Sequence, residues 1–188
     1  ELDNYRELYK LDKVYPDYPK VAARVISRDG NNWFHVFTID KGKKDGIQVD
    51  MNVIAGNGLV GIVSEVGESY AKVRAIIDDK SNVSAMFQDT GETCIVKGNM
   101  ESIYKGYIDI EMISNTAKIK DGDEVVTVSD KFLQGLSVGY VKDIVSDPSS
   151  QTKTAHLIPS VNFDQLENVL VITQLKDNSE IKDIKNYD

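Results

Sequence analysis

The chain has 188 residues, 41% hydrophobic and 28% charged, a globular composition that excludes a fibrous or disordered protein. Thirty Asp and Glu against 22 Lys and Arg leave a formal charge of −8, which repels a phosphate backbone and excludes nucleic acid as a natural partner. The single cysteine, Cys94, excludes an internal disulfide and any Cys-cluster metal site, and no apolar run reaches the ~18 residues of a spanning helix.

Residues 1–13 carry a helical pattern. Leu2, Tyr5, Leu8 and Tyr9 recur at spacings that gather them into one stripe. A helix of about 13 residues is marginal alone in water, so the stripe needs a partner, either the body of the protein or a second copy. Because the sequence opens at Glu1 inside this pattern, it reads as a cropped or processed fragment, from which any signal or anchor would have been cut away. Pro16 and Pro19 then end the helix and hold Tyr15 to Pro19 extended.

Beyond the prolines the texture is short β segments punctuated by glycine. Strands are predicted near 21–28, 33–40, 51–55, 59–66, 71–78, 83–88, 93–97, 107–113, 124–128, 138–145, 154–158 and 169–175. Turn signals separate them, among them Asp29-Gly30-Asn31-Asn32, Gly56-Asn57-Gly58 and Asp89-Thr90-Gly91. Many short strands at about 8–12 residue spacing point to sandwiches or small barrels, since an open sheet of that many strands curls or splits. The segment Phe163 to Asn168 offers one helical turn at most.

The chain also echoes itself. Lys44-Asp45-Gly46, Val53-Ile54 and Val60-Gly61-Ile62-Val63 return as Lys120-Asp121-Gly122, Val125-Val126 and Val138-Gly139-Tyr140-Val141. The stretch from Lys72 to Ile77 is loosely matched by Lys153 to Ile158, and each echo ends in a further strand, 83–87 and 169–172. Two copies of one β unit are implied, joined near Gly98 to Gly106. The polar tail 176–188 has little to bury and is expected to fray.

Sites for chemistry are sparse. His35, on the strand face of Trp33 and Phe37, and His156, inside a predicted strand, read as satisfied core histidines, and their separation gives no metal-ligand spacing. Gly135-Leu136-Ser137-Val138-Gly139 has the spacing of a serine-hydrolase elbow, but a strand follows where a helix is required. Asp78-Asp79 and Asp121-Gly122-Asp123 read as turn aspartates bonding their own backbone. No catalytic, cofactor or metal residue is therefore assigned.

An ordered set of short strings carries a resemblance. It begins with Ala23-Arg24-Val25-Ile26-Ser27-Arg28-Asp29, Asn32-Trp33-Phe34, Thr38-Ile39-Asp40-Lys41-Gly42 and Asp45-Gly46-Ile47. It continues through Gly58-Leu59-Val60-Gly61, Ser81-Asn82-Val83-Ser84-Ala85, Gly122-Asp123 and Gly135-Leu136, and closes on Leu166-Glu167 and Val169-Leu170-Val171-Ile172. Over residues 20–173 this set resembles the β region of the rod shape-determining protein MreC family. Val128-Ser129-Asp130 departs from it where a glycine-rich turn is expected.

The resemblance implies a mainly β fold: two small six-stranded β-barrels in a chymotrypsin-like arrangement, preceded by a short N-terminal helix that ends a coiled coil. The expected division is 1–15 for the helix end, 16–98 for the first barrel, 99–175 for the second, and 176–188 for a flexible tail, with the last strand free to return to the first barrel. It further implies a non-enzymatic scaffold on the extracytoplasmic face of the bacterial membrane, anchored by a transmembrane helix outside this sequence. The implied partners are a class B penicillin-binding transpeptidase, MreD, RodA and indirectly MreB, with self-association through Leu2, Tyr5, Leu8 and Tyr9; no cofactor is implied. Two rival readings are a β-barrel serine-hydrolase-like enzyme and an adaptor domain of a secretion assembly. The first requires a Ser, a His and an Asp within hydrogen-bond reach, and the second a single barrel flanked by a long hairpin.

Overall fold

The computed structural model of the protein describes residues 18–28, 35–56, 58–128, 131–146 and 151–175. The stripe Leu2, Tyr5, Leu8 and Tyr9, the pair Trp33-Phe34 and the tail 176–188 lie outside the described residues. Among the described residues twelve strands form: β1 (Lys20–Arg28), β2 (Val36–Ile39), β3 (Asn52–Ala55), β4 (Gly58–Val66), β5 (Ala71–Ala75), β6 (Asn82–Phe87), β7 (Thr93–Lys97), β8 (Ile108–Ser114), β9 (Glu124–Thr127), β10 (Ser137–Val145), β11 (Thr152–Pro159) and β12 (Asn168–Ile172). One short helix, α1 (Met100–Tyr104), precedes β8, and a 3-10 turn spans Phe163–Gln165.

The strands close into two six-stranded barrels, ordered β1-β12-β3-β4-β5-β2 and β10-β11-β8-β7-β6-β9, every pairing antiparallel. Alternation fills them. On β5, Ala71, Val73 and Ala75 are buried while Lys72 and Arg74 are not, which is the period-2 signature of a strand with one solvated face. On β3, and on β12 from Val169 to Ile172, every residue is buried, so these strands are covered on both faces. One hydrophobic cluster runs from Ile39 and Val53 of the first barrel to Val125 and Leu157 of the second.

The sheet topology divides the chain differently from the expected 16–98 and 99–175. The second barrel is a continuous stretch, β6 through β11, and the first combines β1 through β5 with β12. Gly98 was the misleading signal. It is a packing residue rather than a linker: a Cβ there would collide with the carbonyls of Asp78 and Ile76, and its N–H donates to the Ser81 carbonyl at 3.0 Å.

Walking round the barrels matches β3, β4 and β5 with β9, β10 and β11, β2 with β8, and β1 with β7. The register agrees, since Gly61 pairs with Val53 as Gly139 pairs with Val125. β12 then occupies in the first barrel the place that β6 holds in the second. Each repeated unit therefore lends its sixth strand to the other barrel. The expected match of Lys72–Ile77 with Lys153–Ile158 is out of step by three residues: Gly61 faces Ala75 and Gly139 faces Pro159, so Ala75 corresponds to Pro159.

Two features anchor the barrels together. Asn52 of β3 is buried, its amide donating to the Lys131 carbonyl at 3.0 Å and its oxygen accepting from the Leu133 N–H at 2.7 Å. Gly58 packs so closely on the Ser137 carbonyl and the Ser160 side chain that a Cβ would clash with both.

Candidate interaction surface

The residues that would carry catalysis are placed structurally. His35 is buried, its Nδ1 3.1 Å from the Asp78 carboxylate, which also accepts the Lys80 N–H at 2.9 Å and lies 3.8 Å from Arg74. The pair therefore stitches the entry of β2 to the connection leading from β5 to β6. Ser137 sits in the seam between the barrels, 6% exposed, its hydroxyl 3.0 Å from that of Ser160. A serine closed into that seam has no face for a substrate. Asp123 accepts from the Lys120 N–H at 2.9 Å, which is turn chemistry. Cys94 is buried on β7, and desolvation pushes its pKa up to about 12, making it inert as a nucleophile at neutral pH. No group of three or more metal-ligating side chains exists among the described residues.

What the second barrel does present is an apolar outer face. Nine large hydrophobic side chains are exposed among the described residues, and five of them (Tyr104, Met112, Tyr140, Val145 and Ile158) lie on β8, β10, β11 or the adjoining α1. Pairing explains the clustering. Tyr140 of β10 stands directly opposite Ile158 of β11, so both side chains leave the sheet on one face. One pair further along, His156 lies between Lys142 of β10 and Asp109 of β8. The imidazole stacks on Tyr107, ring centroids 3.8 Å apart and planes 23° apart.

His156 is therefore not the core histidine expected from its strand. Its Nδ1 is buried without a hydrogen-bond partner, the nearest acid being Asp143 at 3.8 Å. Both neighbours of β11 carry bulges beside it: Met112 and Asp143 adopt φ of 59° and 53°, and the registers shift there. Bulges on either side of one strand bend and twist the sheet at this face. Exposed aromatic and aliphatic side chains concentrated on one rigid sheet, rimmed by charges, are the chemistry of a protein-docking surface. The alternation marks Tyr140 and Ile158 as outward, but only the strand pairing brings them together.

Comparison with known proteins agrees with the architecture. The family model described as rod shape-determining protein MreC, barrel core, matches residues 25–173. The cell shape-determining protein MreC of Listeria monocytogenes is 32% identical over 182 residues, covering 92% of this chain and 59% of that protein. The chain thus spans little more than half the length of this relative. A solved Listeria MreC structure superposes with a TM-score of 0.76 at 28% identity, covering 95% of this chain and 90% of the other. At 24% identity and a TM-score of 0.68, another, covering 81% of this chain and 94% of its own, is described as the major periplasmic domain from the cell shape-determining filament MreC. A further MreC, from Helicobacter pylori, was solved in complex with penicillin-binding protein PBP2; it shares the fold with a TM-score of 0.61 at 16% identity, covering 83% and 100% of the two chains. No helix among the described residues is long and apolar enough to cross a membrane. With the family model matched over most of its length and two closed barrels in place, this chain belongs to the rod shape-determining protein MreC family.

Proposed function

We propose that this chain is a non-enzymatic docking module of the cell-wall elongation machinery, working outside the cytoplasmic membrane. Its second barrel grips a class B penicillin-binding transpeptidase through the outer face of β8, β10 and β11 and biases that enzyme towards an active state. The observation carrying this reading is the row Tyr140–Ile158 beside stacked Tyr107 and His156, while His35 and Ser137 are each engaged in structural pairs elsewhere. The complex of the H. pylori relative with PBP2 supports the choice of partner. Two copies pair through Leu2, Tyr5, Leu8 and Tyr9, which raises the effective concentration of tethered partners. MreD and RodA belong to the same assembly in this reading, with MreB linked indirectly.

The decisive measurement is capture of the transpeptidase ectodomain by the immobilised chain. The wild type is expected to bind, and Tyr140→Asp combined with Ile158→Asp to weaken binding at least tenfold, since two charges would be desolvated at the contact (about 1.4 kcal/mol per decade). Equal binding by the double variant, with its melting transition intact, would remove this face from the reading. Turnover of an acyl substrate would favour the hydrolase alternative instead.

A further inference from the structure

Beside that face a groove of about 390 Å³ opens between α1 and the connection from β11 to β12, lined by Ile103, Tyr104, Pro159, Val161 and Phe163, with Asp164 at its lip. We infer that this groove is the anchor socket of the docking surface, and that it takes an aromatic or aliphatic side chain followed by a Lys or Arg from the bound penicillin-binding protein. The inference rests on the docking reading above and deepens it.

Three observations carry it. First, the walls are rigid and apolar. Val161 and Phe163 are buried, and their connection is held at several points. Asn162 accepts the Asp164 N–H at 3.1 Å, Ser160 donates its N–H to Val138 at 3.1 Å, and the Arg28 guanidinium donates to the carbonyls of Asp164 and Leu166. A socket ordered before binding loses little entropy on filling, the condition for a hot spot.

Second, the mouth is continuous with the docking face. Tyr104 at the rim is 74% exposed, a large aromatic side chain waiting for cover, and Gly106 of the lining directly precedes Tyr107, whose ring stacks on His156 of the docking face. Third, the charge is one-sided. Among the described residues no ion pair is made by the Asp164 carboxylate: the neighbouring Arg28 guanidinium donates to the backbone carbonyls of Asp164 and Leu166, and Lys105 is engaged with Glu101 at 3.1 Å. Residues 82–164 carry twelve Asp and Glu against seven Lys and Arg. A carboxylate at the edge of an apolar contact is penalised on docking unless a cation meets it, so the lip selects a basic neighbour beside the anchor.

The test uses residues 1–188 and the ectodomain of the class B penicillin-binding protein from the same cell. Tyr104→Asp and Asp164→Lys alter solvent-facing side chains, so both variants are expected to melt like the wild type. Each should raise the dissociation constant about tenfold, and Asp164→Lys should also flatten the weakening that added salt causes in the wild type. Benzoylphenylalanine at position 104 should crosslink to a segment with an apolar residue adjacent to Lys or Arg. Unchanged affinity in both variants beside a binding wild type, or a crosslink to an acidic segment, would overturn the socket and leave the docking reading standing. A wild type that binds nothing would overturn both.

Discussion

Burial on β7 leaves Cys94 3% exposed and desolvation pushes its thiol pKa up to about 12, from about 9 in the unfolded chain. The sign follows directly. Below pH 9 the thiol is protonated folded and unfolded alike; above it the unfolded chain ionises first, so stability falls as pH rises towards 12. Cys94 alone should lower stability by about 1.4 kcal/mol per pH unit in that window, a slope that Cys94→Val removes. Urea melts at pH 8 and 10 on both proteins check this, and native Cys94 should resist maleimide until the chain unfolds. The burial of this residue is legible in the sequence, since Cys94 stands in the apolar-leaning run Thr93-Cys94-Ile95-Val96. His35 was half legible: its burial followed from its apolar neighbours, but Asp78 lies 43 positions away and the pairing belongs to the fold. The stacking of His156 on Tyr107 had no sequence signal, because which strands flank β11 cannot be read from β11 itself.

At the scale of elements, the connection from β9 to β10 is the departure that the resemblance flagged at Val128-Ser129-Asp130. The matching connection in the first barrel leaves only two residues between β3 and β4, whereas nine separate β9 from β10, among them the buried Phe132, Leu133 and Leu136. Two side chains hold it. The Thr127 hydroxyl bonds the Leu133 carbonyl and accepts the Leu136 N–H at 3.0 Å, and Asn52 reaches across from the first barrel. Asn52→Ala would strand the buried Leu133 N–H and the Lys131 carbonyl, at about 1–3 kcal/mol for each group lost. A loss of about 2–4 kcal/mol in denaturant melts is expected, with faster hydrogen exchange at residues 131–136. A loss under 0.5 kcal/mol would mean that the connection is held by its apolar side chains alone. The helix α1 escaped the sequence reading because five residues show no periodicity; its one signal is Asn99, whose side chain caps Glu101 and Ser102.

For the whole molecule, the exchange of β6 and β12 sets the folding logic. The second barrel is complete within 82–159, whereas the first requires a strand that arrives some 90 residues after β5. Ending the chain at Ser160 should therefore open the first barrel, exposing unpaired edges on β1 and β3, while the second stays closed. Hydrogen exchange on that truncated chain should show β2, β4 and β5 deprotected and β7, β8 and β10 still protected. Continued protection of β4 and β5 would sink the assignment of β12 as a closing strand.

By itself the sequence determined the mainly β class and the places of the strands, because alternation and turn chemistry are local properties. Only the tertiary structure decided which barrel owns each strand and which outward side chains become neighbours. Antiparallel pairing joins residues distant along the chain, and a strand's own pattern records which face is dry but never the identity of the strand beside it.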